Sequence, residues 1–275
     1  MLVIRNCNVL ILAALLGSPL HAEPGHAFVL ALNGTWSVQG RPGTLAVGSA
    51  VPAPSELVIA RAAPGNHIVI VAARSGAVLL AHECAGAADC RKPVTLPAPS
   101  PAPSSSTLGE QIERVMRRLE GAPDRYVATM SREGRMLQEA VLPLQDGEVD
   151  LTPALANLPA GRFETTLQRL DCVSPCDESA SLRMSIDWRP GAAARAPAPG
   201  LRAGVHKLLV RSLARAAPSP PRRAHVLLVA GPDAPGHAAR FDEWVALARS
   251  WGDTVDAATR QALLHAAMDE LAERP

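Results

Sequence analysis

The chain has 275 residues, with 27 Lys and Arg set against 26 Asp and Glu for a formal net charge of +1. So even a balance leaves no bulk field to draw in nucleic acid or anionic lipid. Hydrophobic residues make up 48%, yet no apolar run reaches the ~20 residues a spanning helix needs, so no stable membrane span is expected.

The N-terminus reads as a secretory signal. Arg5 lies in the polar start, Val9 to Leu16 is an unbroken apolar run, and Leu20-His21-Ala22 offers a small residue for cleavage, so residues 1–22 are expected to be removed. Cys7 precedes the apolar run, the wrong place for a lipidation cysteine, and leaves with the signal. The exported chain then keeps Cys84, Cys90, Cys172 and Cys176. An even number of cysteines in a periplasmic or secreted protein points to disulfides. Four cysteines allow three connectivities. Local bridges would close short loops worth roughly 2 kcal/mol each, whereas crossed bridges would close long ones worth about 4 to 5 kcal/mol. Local pairing is expected because each pair lies between strand-like segments; crossed pairing, which would staple two domains, is the alternative. The cations are nearly all arginine, with Lys92 and Lys207 the only lysines, and alanine and proline are abundant. This reads as the base composition of a GC-rich bacterium rather than as a phosphate-binding surface.

After the signal, residues 23–96 read as a β module. Trp36 to Val38, Leu45 to Val51, Leu57 to Ala60, Ile68 to Ala72 and Ala77 to His82 are strand-like, cut by turns at Pro42-Gly43 and Arg74-Ser75-Gly76. Short strands at this spacing indicate a small sandwich or barrel. The run Gly43-Thr44-Leu45-Ala46-Val47-Gly48-Ser49-Ala50-Val51, then Ser55-Glu56-Leu57 and Ile68 to Leu80, resembles the periplasmic FecR-type β module. That resemblance implies a binding or regulatory role. Residues 97–106, a Pro- and Ser-rich stretch, form a linker. A helix is expected over 107–121, where Thr107 and Glu110 have capping-box spacing, Ile112, Val115, Met116 and Leu119 form one apolar face, and Gly121 stops it. Arg114, Arg117 and Arg118 lie mostly off that face, either as an anion-contact strip or as a solvated surface.

A second β domain is expected over 122–230. Tyr126 to Met130 and Met136 to Leu144 are strand-like, Asp146-Gly147 is a hairpin turn, and Phe163, Thr165 and Leu167 alternate. Ser181 to Trp188 reads as a half-buried strand, with Leu182, Met184, Ile186 and Trp188 on one face and Arg183, Ser185 and Asp187 on the other. Val205 to Val210 and His225 to Ala230 add strands, the latter apolar enough to be central. The segment Leu158-Pro159-Ala160-Gly161-Arg162-Phe163, within residues 124–188, resembles the strand start of immunoglobulin-like accessory domains of exported bacterial proteins, which implies a β-sandwich. Residues 236–275 switch to two helices, with Phe241, Trp244, Val245 and Ala248 on one face of the first and Leu263, Leu264, Ala267, Met268 and Leu271 on one face of the second. They read as an antiparallel pair packed on the β domain, or as a partner-binding groove. The fold class is therefore mainly β with α (α+β). Trp36, Phe163, Trp188, Phe241, Trp244 and Trp251 are the expected core anchors.

Chemistry is sparse. His82 and Cys84 stand two apart in a strand, where a base and a thiolate could share a face, and with Cys90 they could hold a soft metal. A Cys84 to Cys90 disulfide would consume both options. No Gly-x-Ser-x-Gly elbow, His-Glu-x-x-His pair or phosphate loop is present. His67, His206, His225 and His237 read as scattered structural or solvated residues, and Asp146, Glu148 and Asp150 as a solvated hairpin tip. No catalytic, cofactor-binding or metal-ligating residue is assigned, and no cofactor is implied. Two functional readings follow. One is a non-enzymatic envelope protein whose β modules bind a protein or glycan; the other is an exported enzyme with a cleft between the β domain and the C-terminal helices.

Overall fold

The computed structural model describes residues 25–100, 106–121, 137, 139–170, 181–214 and 221–273. The signal segment, the strand expected at Tyr126 to Met130, and Cys172 with Cys176 lie outside the described residues. The described residues mix fourteen strands and four α-helices in the α+β manner that the sequence implies.

Residues 25–96 build two packed sheets. Strands β1 (Gly25–Asn33), β3 (Ala50–Ala53), β5 (His67–Ala72) and β6 (Val78–Glu83) form one sheet in the order β3-β1-β5-β6, and β2 (Trp36–Val38), β4 (Ser55–Ile59) and β7 (Val94–Leu96) form the other. Alternation along β1 and β5 decides which core each residue joins. Ala27, Val29, Ile68 and Ile70 face the second sheet, together with Trp36, Leu57 and Leu96. Phe28, Leu30, Val69 and Val71 face the other way, toward helices. The register with β5 shifts between Val29 and Ala31, a bulge that turns both Leu30 and Ala31 to the helix side.

The Leu45 to Val51 strand is corrected in part. Only Ala50–Ala53 pairs, because Gly48 turns the backbone at φ +88° beneath the helix α1 (Ser106–Gly121). A Cβ at Gly48 would lie 2.4 Å from the Met116 carbonyl oxygen and 2.5 Å from the Glu120 backbone nitrogen.

The second group of strands forms one sheet, not the two facing sheets of a sandwich. Its order is β11-β10-β13-β14-β8-β9-β12, from β8 (Ala140–Gln145), β9 (Glu148–Asp150), β10 (Gly161–Arg169), β11 (Ser181–Trp188), β12 (Arg195–Pro197), β13 (Gly204–Ser212) and β14 (Arg222–Ala230). The reason lies in β14, which pairs antiparallel with β13 and parallel with β8 and so joins the two halves into one sheet. As expected, β14 is central and apolar on both faces. The β8–β9 hairpin turns through Asp146 at φ 54° and Gly147 at φ 76°, the left-handed pair that a tight two-residue turn requires. One face of this sheet closes on a core with the short helix α2 (Thr152–Leu155), Phe163 and Trp188.

Helices α3 (Ala234–Ser250) and α4 (Ala257–Ala272) lie with α1 between the two sheet systems. Trp244, Ala248 and Trp251 meet β1 and β5, while Phe241, Met268 and Leu271 meet Val141, Val205 and Leu227. Helix α4 is consequently buried almost all round from Ala262 to Leu271, polar residues included. All six expected aromatic anchors are buried. Each Trp N–H is satisfied: Trp36 donates to the Asn33 carbonyl, Trp188 to that of Leu158, Trp244 to Gln111 Oε1 and Trp251 to the Gly76 carbonyl. Among the described residues, no helix is long and apolar enough to cross a membrane.

Candidate functional site

Three constellations carry chemistry. The first closes the end of β6. The Cys84 N–H donates to the Asn66 carbonyl (2.8 Å), and the Gly65 N–H donates to that of Cys84 (3.0 Å). The loop then folds back, with the Gly86 N–H donating to Asp89 Oδ2 (2.9 Å), and brings the Cα of Cys90 to 5.7 Å from that of Cys84 in a disulfide. This bond excludes both crossed connectivities. His82 stands beside it, Nε2 3.3 Å from Cys90 Sγ, its ring edge-on to Trp36 at 6.1 Å. The sequence reading that His82, Cys84 and Cys90 converge is correct in space, since their ligand atoms lie within 4.8 Å of one another. Bonded to each other, however, the two sulfurs offer neither a nucleophilic thiolate nor a thiolate ligand. At 1% and 3% exposure they are a core stitch.

The second constellation sits where the seven-stranded sheet meets α4. Parallel pairing sets Val226 beside Ala140, so the preceding residues His225 and Glu139 are neighbours, with His225 Nδ1 3.7 Å from Glu139 Oε1. From α4, His265 lays its ring on that of His225, centroids 3.9 Å apart. Glu139, His225 and His265 are 7%, 6% and 5% exposed. Burial pushes the Glu139 carboxyl above its ordinary range, opposed by hydrogen bonding and charge attraction from His225 and by a hydrogen bond from Gln261. His225 is therefore not a scattered histidine. Sequence reasoning missed the cluster because its members come from three elements; the one local signal was a histidine, His265, amid the apolar positions of α4. The same junction is filled by Val141, Phe241, Met268 and Leu271.

The third constellation joins α1 to α4. Arg114 Nε donates to Glu270 Oε1 (2.6 Å), Arg118 Nε to Glu270 Oε2 (3.0 Å), and Arg118 also pairs with Glu273. The Glu273 hydrogen bond is the largest influence holding the Arg118 guanidinium protonated beyond its ordinary range, with burial opposing it and Glu270 adding to it. Arg117 bonds Glu113 one turn away. The arginines expected as an anion strip or a solvated face thus divide, two clamping the helix layer together and one remaining on the surface.

An open cleft of about 320 Å³ marks the N-terminal sandwich, lined by Gln39, Arg41, Pro52, Pro54, Ser55 and Glu56. The Ser55 hydroxyl is buried there without a hydrogen-bond partner among the described residues. Opposite charges from Arg41 and Glu56 in one open recess suit a polar, extended ligand better than an apolar one. No protein-family model and no curated protein matches the chain.

Proposed function

We propose that this chain is an exported, non-enzymatic protein of the bacterial envelope that binds a protein or glycan partner through its N-terminal β-sandwich. The observation that carries this reading is the Cys84–Cys90 disulfide in the core of that sandwich, since such bonds persist in oxidising compartments and are rare where thiols are kept reduced. The bond also commits the most reactive side chains to structure. The cleft bearing Gln39, Arg41, Ser55 and Glu56 supplies a place for a polar partner. The resemblance of Gly43 to Leu80 to FecR-type modules points the same way.

The test is binding of soluble peptidoglycan fragments and of crosslinked envelope proteins to the chain starting at Glu23. Backbone amide shifts confined to residues 38–56, abolished by Arg41→Glu, support the reading. Saturating amounts of both partner classes with no shift in that region overturn it.

A further inference from the structure

We propose that the chain forms a twofold dimer by pairing the outer edge of β11 with the same edge of a second copy. Among the described residues, β11 hydrogen-bonds to β10 alone and ends the seven-stranded sheet. An open strand edge presents a row of backbone donors and acceptors that templates further pairing unless it is blunted. The other edges are blunted: β3 carries Pro52, β12 carries Pro197, and β2 and β7 are only three residues long. The β6 edge holds Glu83 as its only formally charged side chain, so a copy of itself offers no opposite charge. β11 is eight residues long and contains no proline.

Its sequence is complementary to its own reverse. In an antiparallel pair centred on Ser185, Arg183 faces Asp187 of the other copy, Asp187 faces Arg183, and the two Ser185 residues meet on the axis. A twofold interface requires this reciprocity, in which residue i meets j and j meets i. Arg183, Ser185 and Asp187 are all exposed. Among the described residues, Asp187 pairs with Arg162 at 3.8 Å, and these side chains are 82% and 67% exposed, too solvated to hold it back. On the opposite face, Leu182 and Met184 stay half-buried at the rim of the core, whereas Ile186 and Trp188 are buried. The same register sets Met184 against Ile186 and Leu182 against Trp188 of the partner, so pairing covers the apolar rim that the monomer leaves open. The inference stands independently of the binding role proposed above.

Sedimentation equilibrium of the chain starting at Glu23, across the micromolar range, tests it with charge swaps. A reversible dimer is expected. Arg183→Asp and Asp187→Arg each place like charges opposite one another twice and weaken it about tenfold or more. The double swap R183D/D187R restores it to within about threefold. Because these side chains are exposed, melting temperatures measured at dilutions where every variant is monomeric stay unchanged. Ser185→Cys gives a second readout, since antiparallel partners with Cα atoms ~4.5–5.5 Å apart are within disulfide reach, and a covalent dimer is expected without reductant. A monomer throughout the range, a dimer indifferent to the swaps, or no crosslink at Ser185→Cys overturns the proposal.

Discussion

His225 on β14 and His265 on α4 stack with ring centroids 3.9 Å apart and planes 18° from parallel, joining the seven-stranded sheet to the helix layer. Both rings are buried, so each fills core volume as well as meeting the other. His265→Ala is expected to cost about 1–3 kcal/mol in urea denaturation, from lost contact and residual cavity. A double-mutant cycle with His225→Ala is expected to return a coupling of ~0.5–1.5 kcal/mol. Additive effects would show that the rings only fill space.

Glu139 gives the same junction a pH dependence. Burial raises its carboxyl above the ordinary value of 4.5, with His225 and Gln261 opposing. The folded state therefore binds this proton more tightly than the unfolded chain does. The associated stability is complete below the ordinary value and is lost as pH rises through the raised folded value. Glu139→Gln keeps the shape and removes the ionisation. Its unfolding free energy, relative to the native chain, is expected to improve as pH climbs through that window and then level off. A difference that stays constant with pH contradicts the assignment.

The Glu270 carboxylate accepts from both Arg114 and Arg118 at 8% exposure, whereas the Glu113–Arg117 pair lies at the surface with exposures of 50% and 71%. The two pairs are expected to differ sharply. Glu270→Ala removes the buried acceptor that Arg114 and Arg118 share, leaving them only Glu110 and Glu273 at the surface, and costs ~1–3 kcal/mol, little changed by salt, while Glu113→Ala stays within about 0.5 kcal/mol. Urea denaturation at low and high ionic strength checks both.

Gly48 is a position where a single methyl group collides with backbone. Its φ of +88° disfavours any Cβ, and that atom would meet the α1 backbone at 2.4 Å. Gly48→Ala is expected to cost more than ~2 kcal/mol and to speed proteolysis within residues 106–121. An unchanged melting temperature would mean that α1 does not rest on this turn.

Period-2 and period-3.6 patterns made much of this fold legible. Ser181–Trp188 alternates cleanly and is a strand with those bounds, and Asp256, whose side chain accepts from the Thr259 N–H, starts the last helix where its pattern begins. β1 was not legible, because Ala27 to Ala31 is a continuous apolar run buried on both faces with no alternation to read. Nor was the single seven-stranded sheet, which depends on the long-range parallel pairing of Val226 with Ala140. The same separation hides the candidate chemistry. Cys84 and Cys90 announce themselves by spacing, but Glu139, His225 and His265 become neighbours only once β8, β14 and α4 have assembled. Burial of α4 on all sides explains why His265, Asp269 and Glu270, polar by sequence, belong to the interior.

Export with a locally closed disulfide is the central claim, and mass spectrometry of the native protein from fractionated cells, alkylated before lysis and digested without reductant, tests it most directly. The account predicts a chain in the periplasmic or secreted fraction that begins at Glu23, with one peptide pair joined through Cys84 and Cys90. A cytosolic chain that retains residues 1–22 and carries alkylated Cys84 and Cys90 would contradict it.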